Sequence, residues 1–117
     1  GTFHMEEGYY YFRDHEGYLL FGGGRNLDFE SETSTVFEVN EKIKRHLVHL
    51  LKNYVLPDQD FEIESEWTGI MAFGDTKKPI IKRVDENTYI GVRLGGMGVA
   101  IGSLVGEKLA SLVSQSV

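Results

Sequence analysis

Residues 93–102, RLGGMGVAIG, contain four glycines within ten positions. Glycine inside a helix costs about 0.8–1.0 kcal/mol relative to alanine, so such density persists only where something compensates for it. The two usual compensations are a backbone that must approach another group closely and a backbone that must take a positive φ. Gly95, Gly96 and Gly98 come directly after residues 88–94, which read as a strand, and directly before residues 97–113, which read as a helix. That order puts backbone N–H groups at a helix N-terminus, where the partial positive charge favours an electron-rich oxygen. The spacing is not the dinucleotide fingerprint G-x-G-x-x-G, and its position differs from that of an opening βαβ unit. Gly98, Gly102, Gly106 and Ala110 then recur every four residues, which leaves one helix face bare for close approach of another backbone. Close packing accounts for Gly102 and Gly106 but poorly for the Gly95–Gly96 pair.

Upstream, the pattern alternates between period two and helical period. Residues 9–12 and 18–21 are aromatic-rich runs on either side of RDHEG, and Gly17 can supply the positive φ of a hairpin loop. Residues 22–35 are polar and glycine-rich and read as a loop. From Asn40, a credible N-cap, Ile43, Leu47, Leu50, Leu51 and Tyr54 recur at three- and four-residue spacing, and Pro57 stops the pattern. Residues 60–67, DFEIESEW, alternate strictly: Phe61, Ile63 and Trp67 oppose Asp60, Glu62, Glu64 and Glu66, as in a half-buried strand. Residues 79–84 and 88–94 flank the turn signal DEN and read as a second hairpin. The expected fold is α+β, an antiparallel sheet of about five strands with two main helices at 40–54 and 97–113. Gly1 to Met5 carry no pattern, and residues 1–8 are set aside as an expression remnant or a disordered lead.

The length of 117 residues suits one small domain with a single core. A net charge of −6 argues against a nucleic-acid partner, because phosphate recognition needs clustered Lys and Arg. No apolar run is long enough to cross a bilayer. With no cysteine, thiolate chemistry, disulfides and Cys-ligated zinc are excluded, and a cytoplasmic location is expected.

Two constellations resemble metal sites and are better explained otherwise. The acidic row of residues 60–66 lacks the Asp, Asn and Gly turning positions of an oxygen cage and reads as a solvated strand face. His46 and His49 lie three apart but lack a spaced carboxylate to complete a zinc site, so they read as residues flanking the apolar stripe. No G-x-S-x-G elbow is present. No metal site is expected.

The order of residues from Trp67 onward resembles the C-terminal end of the D-amino-acid-oxidase-like FAD-dependent oxidoreductases. WTGIMAFGDTKKPII followed by YIGVRLGGMGVAIGSLVGEKLASLV matches their W-x-G, later Pro, strand, glycine loop and small-residue helix. Trp67, Gly69, Pro79, Gly95, Gly96, Gly98, Gly106, Leu109 and Ala110 fit that order, and YYYFRDHEGYLLFGGGR resembles the substrate-domain portion. The resemblance implies that residues 9–94 form a substrate-domain-like part and residues 95–117 a flavin-contacting loop and helix. It implies FAD as cofactor, with Gly95, Gly96, Met97, Gly98 and Val99 against the pyrimidine end of the flavin ring. It also implies a small-molecule amine or amino acid as substrate, oxidised by hydride transfer to the flavin.

Two departures from the family qualify this reading. The G-x-G-x-x-G unit that holds the ADP half of FAD is missing from the sequence, so the chain is expected to be a C-terminal fragment, inactive and unable to retain FAD alone. Surfaces left uncovered in that way leave self-association of the chain open. Met71 stands where family members that oxidise amino acids carry a carboxylate-binding Arg. Either the substrate lacks that carboxylate, or Arg13, Arg25 or Arg93 replaces the missing arginine. No residue qualifies as a general base, so no catalytic residue is assigned. The rival reading is a free-standing α+β binding module whose Tyr9, Tyr10, Tyr11 and Tyr18 grip a ligand or partner. That module gives no reason for the glycine loop.

Overall fold

In a computed structural model, which describes residues 1–115, the chain is α+β with five strands in two antiparallel sheets. It divides into two compact units, Gly1–Ile70 and Met71–Val117. Two small cores thus replace the single core expected from length. The division falls well before the glycine loop, so the second hairpin, the loop and the last helix belong to one unit. Residues 116 and 117, the end of the expected flavin-contacting segment, lie outside the described residues.

In the first unit, β1 (Thr2–Met5), β2 (Tyr10–His15) and β3 (Tyr18–Gly23) form a meander in that order. His15 pairs with Tyr18 across a two-residue loop whose Glu16 and Gly17 have φ of 51° and 87°. Two positive φ values give the turn a twist that matches the strands it joins, which is why glycine is wanted there. Phe12 pairs with Phe3 on one side and Phe21 on the other, their rings stacked at 4.8 Å and edge-on at 6.0 Å. Such aromatic pairs contribute about 0.5–1.5 kcal/mol each beyond their burial. The first residues, set aside from the sequence, therefore belong to the fold: four residues are too few to show a period, but Phe3 has an aromatic neighbour to pack on.

Residues 22–35, read as a loop, contain a 3-10 turn (Arg25–Leu27) and a one-turn helix, α1 (Phe29–Glu32). The main helix of this unit, α2 (Glu41–Leu50), starts as expected at Asn40, whose Oδ1 accepts from Lys42 N at 3.1 Å and Ile43 N at 3.3 Å. A π turn over Leu51–Val55 carries it past Tyr54. Tyr10, 1% exposed, and Ile43 are buried on either side of the buried Gly24, joining β2 to α2. Burial pushes the Tyr10 phenol above its ordinary range.

The expected strand at residues 60–67 does not form; the segment has no regular structure. Alternation marks a strand only if a neighbouring edge accepts its hydrogen bonds, and no strand pairs with it. Ile63 and Trp67, expected to be half-buried, are 50% and 71% exposed. The segment is tied to α2 by Glu66, whose carboxylate takes the Lys44 ammonium at 2.8 Å and holds it above its usual range.

In the second unit, β4 (Ile80–Arg83) and β5 (Tyr89–Val92) form the expected hairpin. Its turn is closed by Val84 N donating to Thr88 O at 2.8 Å and Asn87 N donating to Asp85 Oδ1 at 2.9 Å. The Asn87 N–H and the Thr88 hydroxyl hold the Asp85 carboxyl below its usual range. Helix α3 (Gly98–Ser114), expected at 97–113, packs on this hairpin through Val105, which is 6% exposed. The close approach comes at Gly91 on β5, where a Cβ would meet Val105 Cγ1 at 2.8 Å. The small-residue face of α3 does not supply it. Around Gly102 and Gly106 nothing lies within 4 Å, so the backbone expected against that face is not found among the described residues.

Candidate functional site

At the end of β5 the chain reverses through a run of left-handed residues: φ is 62° at Arg93, 58° at Gly95 and 82° at Gly96. Met97 N donates to Leu94 O at 3.0 Å and closes the turn. Helix α3 then begins with Met97 as its N-cap, and no side chain caps it. Ala100 N and Ile101 N both donate to Met97 O at 3.0 Å. The N–H groups of Gly98 and Val99, in the first turn, have no intrahelical acceptor by the geometry of a helix start. Val99 is fully exposed and Met97 is 56% exposed, so this end of the helix is open.

Two apolar side chains flank the turn. A Cβ on Gly96 would stand 3.8 Å from Met71 Sδ, and one on Gly95 would stand 4.0 Å from Phe73 Cδ1. Both side chains are about half-exposed, Met71 at 50% and Phe73 at 48%. The structure therefore brings Gly95, Gly96, Met97, Gly98 and Val99 together with Met71. Phe73 was missed by sequence reasoning. Its signal was present two residues beyond Met71, where an extended chain returns a side chain to the same side.

The arginines separate. The Arg93 side chain turns back into its own unit, donating from Nη2 to Thr76 Oγ1 at 3.1 Å and Lys78 O at 2.9 Å. Arg25 lies in the first unit with its guanidinium over the rings of Tyr9 and Phe29, 5.4 Å from each centroid. Arg13 approaches His15 Nδ1 at 3.1 Å from Nη2. His46 packs against Tyr10 and His49, at 5.7 and 6.3 Å between centroids, as a residue flanking the apolar stripe would. No group of three metal-ligating side chains occurs among the described residues, and none of their helices is long and apolar enough to cross a membrane.

The donor set decides what this turn can hold. Two open N–H groups at the positive end of a 17-residue helix suit an electron-rich, hydrogen-bond-accepting edge. Bare glycine backbone and the apolar Met71, Phe73 and Met97 suit a flat, largely apolar body attached to that edge. A flavin ring has both features. Comparison with curated proteins and with solved structures gave no match. A model of the FAD dependent oxidoreductase family, DAO, matches residues 2–112, and the chain belongs to that family.

Proposed function

We propose that this chain supplies the flavin-ring half of an FAD-dependent oxidoreductase acting on an amine or amino acid, and that it is inactive without a dinucleotide-binding half. The observation that carries the proposal is the Gly95–Gly96 turn, left-handed at both glycines, running into an uncapped helix start. Gly98 and Val99 would donate their N–H groups to the pyrimidine edge of the ring. Negative charge that develops there during reduction is favoured by the helix end. Gly95 and Gly96 keep side chains out of the approach, and Met97 covers the ring. When bound, FAD supplies the acceptor for a hydride leaving the carbon that bears the amine.

On the substrate side, Met71 beside the turn offers contact area but no charge, which favours an amine without a carboxylate. If a carboxylate is present, Arg25, whose guanidinium lies over the Tyr9 and Phe29 rings in the first unit, is proposed as its partner on the family resemblance alone. The cysteine-free sequence fits work in the cytoplasm. Tyr11 and Tyr18, 48% and 56% exposed, support the rival reading of an aromatic binding surface on the first hairpin. That reading leaves the turn without a task.

Titration of the isotope-labelled chain with riboflavin and, separately, with ADP tests the proposal. Amide shifts confined to residues 95–99 with riboflavin, weak in affinity, and none with ADP are expected. Shifts on the first hairpin in place of the turn would favour the module. Purified alone, the chain is expected to be colourless after gel filtration, and stoichiometric flavin absorbance would show that it needs no second half.

A further inference from the structure

We propose that Arg93 is a positioning residue: its side chain clamps residues 73–78 and thereby holds Met71 and Phe73 as the wall of the glycine turn. Three observations converge on it. Arg93 is held at φ 62°, a left-handed conformation uncommon for a side chain of this size. Its Nη2 reaches two acceptors on one segment, Thr76 Oγ1 and Lys78 O, while Nε is buried with no partner among the described residues. Gly74 lies so close that a Cβ there would collide with Nη1 and stand 3.0 Å from both Cδ and Cζ. Strain and an unpaired donor are both unfavourable, so a compensating contact is required, and the wrapped segment is that contact.

The consequence reaches the turn. Residues 74–79 have no regular structure, and their side chains are exposed apart from Pro79, so little else fixes them. The clamp begins at Gly74, one residue after the Met71–Phe73 pair that flanks Gly95 and Gly96. Its other end is anchored two residues before Gly95. One side chain therefore spans both margins of the turn, and its engagement holds the segment that carries the wall. Arg93 acts through these residues and not by meeting a ligand, since its guanidinium is directed at Thr76 and Lys78.

The test compares Arg93→Gly, Thr76→Val and Thr76→Ser in the full chain. Glycine permits the same backbone conformation without strain, so Arg93→Gly removes the clamp alone. The readouts are backbone amide order parameters and limited trypsin cleavage between Lys77 and Lys78. Arg93→Gly is expected to bring order parameters of residues 73–78 from rigid values near about 0.85 to below about 0.6, with cleavage at least about tenfold faster. Amides of β4, β5 and α3 are expected to stay rigid. Thr76→Val should loosen the segment in part, and Thr76→Ser, which keeps the acceptor, should restore it. Unchanged order in residues 73–78 of Arg93→Gly overturns the proposal. Equal loosening of the whole unit also overturns it, because the role would then be general stability. If Arg93→Gly does not fold, the contrast between Thr76→Val and Thr76→Ser decides alone: no difference between them rejects the clamp.

Discussion

A Cβ placed on Gly91 would stand 2.8 Å from Cγ1 of Val105, the most buried side chain of α3. Strand β5 and helix α3 therefore touch backbone to side chain, and the second unit is built on that contact. Gly91→Ala is expected to destabilise it by about 1–3 kcal/mol, the usual range for overpacking a fitted contact. Chemical unfolding followed by the helical signal measures this. Gly102→Ala has the opposite expectation in this chain, a gain of up to about 0.8–1.0 kcal/mol, because a methyl there meets nothing within 4 Å. If a dinucleotide-binding half covers that face in the complete enzyme, the same change should lose its benefit there.

The start of α2 makes a pH prediction. Asn40 caps the helix through Oδ1, and its Nδ2 donates to Glu32 Oε1 at 3.0 Å and Asp28 Oδ2 at 3.4 Å. The bond from Asn40 is the leading reason that the Asp28 carboxyl lies below its usual range. A carboxyl depressed on folding stabilises the fold fully above its unfolded pKa, about 3.9, and loses that contribution as pH falls through the lower folded value. Asn40→Ala is expected to cost about 1 kcal/mol at neutral pH through the lost cap. It should also flatten the fall of stability below about pH 4, since Asp28 then has less to lose. Denaturant midpoints from pH 6 to pH 2 check both effects.

Trp67 is the single tryptophan and is 71% exposed on a segment tied to α2 by the Lys44–Glu66 pair. Its emission is expected near that of a solvated indole, with ready quenching by acrylamide. Glu66→Gln should change global stability by less than about 1 kcal/mol, as for exposed ion pairs generally, while increasing the segment's mobility. Time-resolved anisotropy of Trp67 reads the mobility, and an unchanged decay would show that the pair does not hold the segment.

Local chemistry and the two hairpins were legible in the sequence, and pairing beyond them was not. The cap at Asn40, the loop at Gly17 and the closure at Asp85 each depend on residues within a few positions of one another, so their signals lie side by side. The alternation of residues 60–67 is equally clear, but a strand also needs a partner from elsewhere, and no strand of the described chain pairs with it. Thr2–Met5 shows the reverse: its pattern is too short to read, but β2 presents an aromatic edge. At the site, the glycine turn and helix start could be read because backbone conformation there is written in residue type. Phe73 lay within reach of spacing, two residues beyond Met71, whereas the engagement of Arg93 depends on how residues 74–78 fold back, which no spacing records.

The Gly95–Gly96 turn carries the last prediction, made for the complete flavin-bearing enzyme. Gly96 has φ 82°, a conformation that a β-branched residue adopts only under strain, and its Cβ direction points toward Met71 Sδ at 3.8 Å. Gly96→Val must therefore either straighten the turn or place two methyl groups beside Met71, in the space proposed for the ring. Either outcome moves the N–H groups of Gly98 and Val99 away from the edge they are proposed to bind. The expected result is lost flavin occupancy or a reductive half-reaction slowed by at least about tenfold, equivalent to about 1.4 kcal/mol of lost transition-state stabilisation. Thermal unfolding of the β4–β5 hairpin and α3 should change little, because Val105 and Gly91 lie away from the turn along both elements. Gly102→Ala, placed in the same helix but clear of the turn, should keep flavin content and reduction rate. Full flavin content and normal reduction in Gly96→Val would remove the cofactor from this turn.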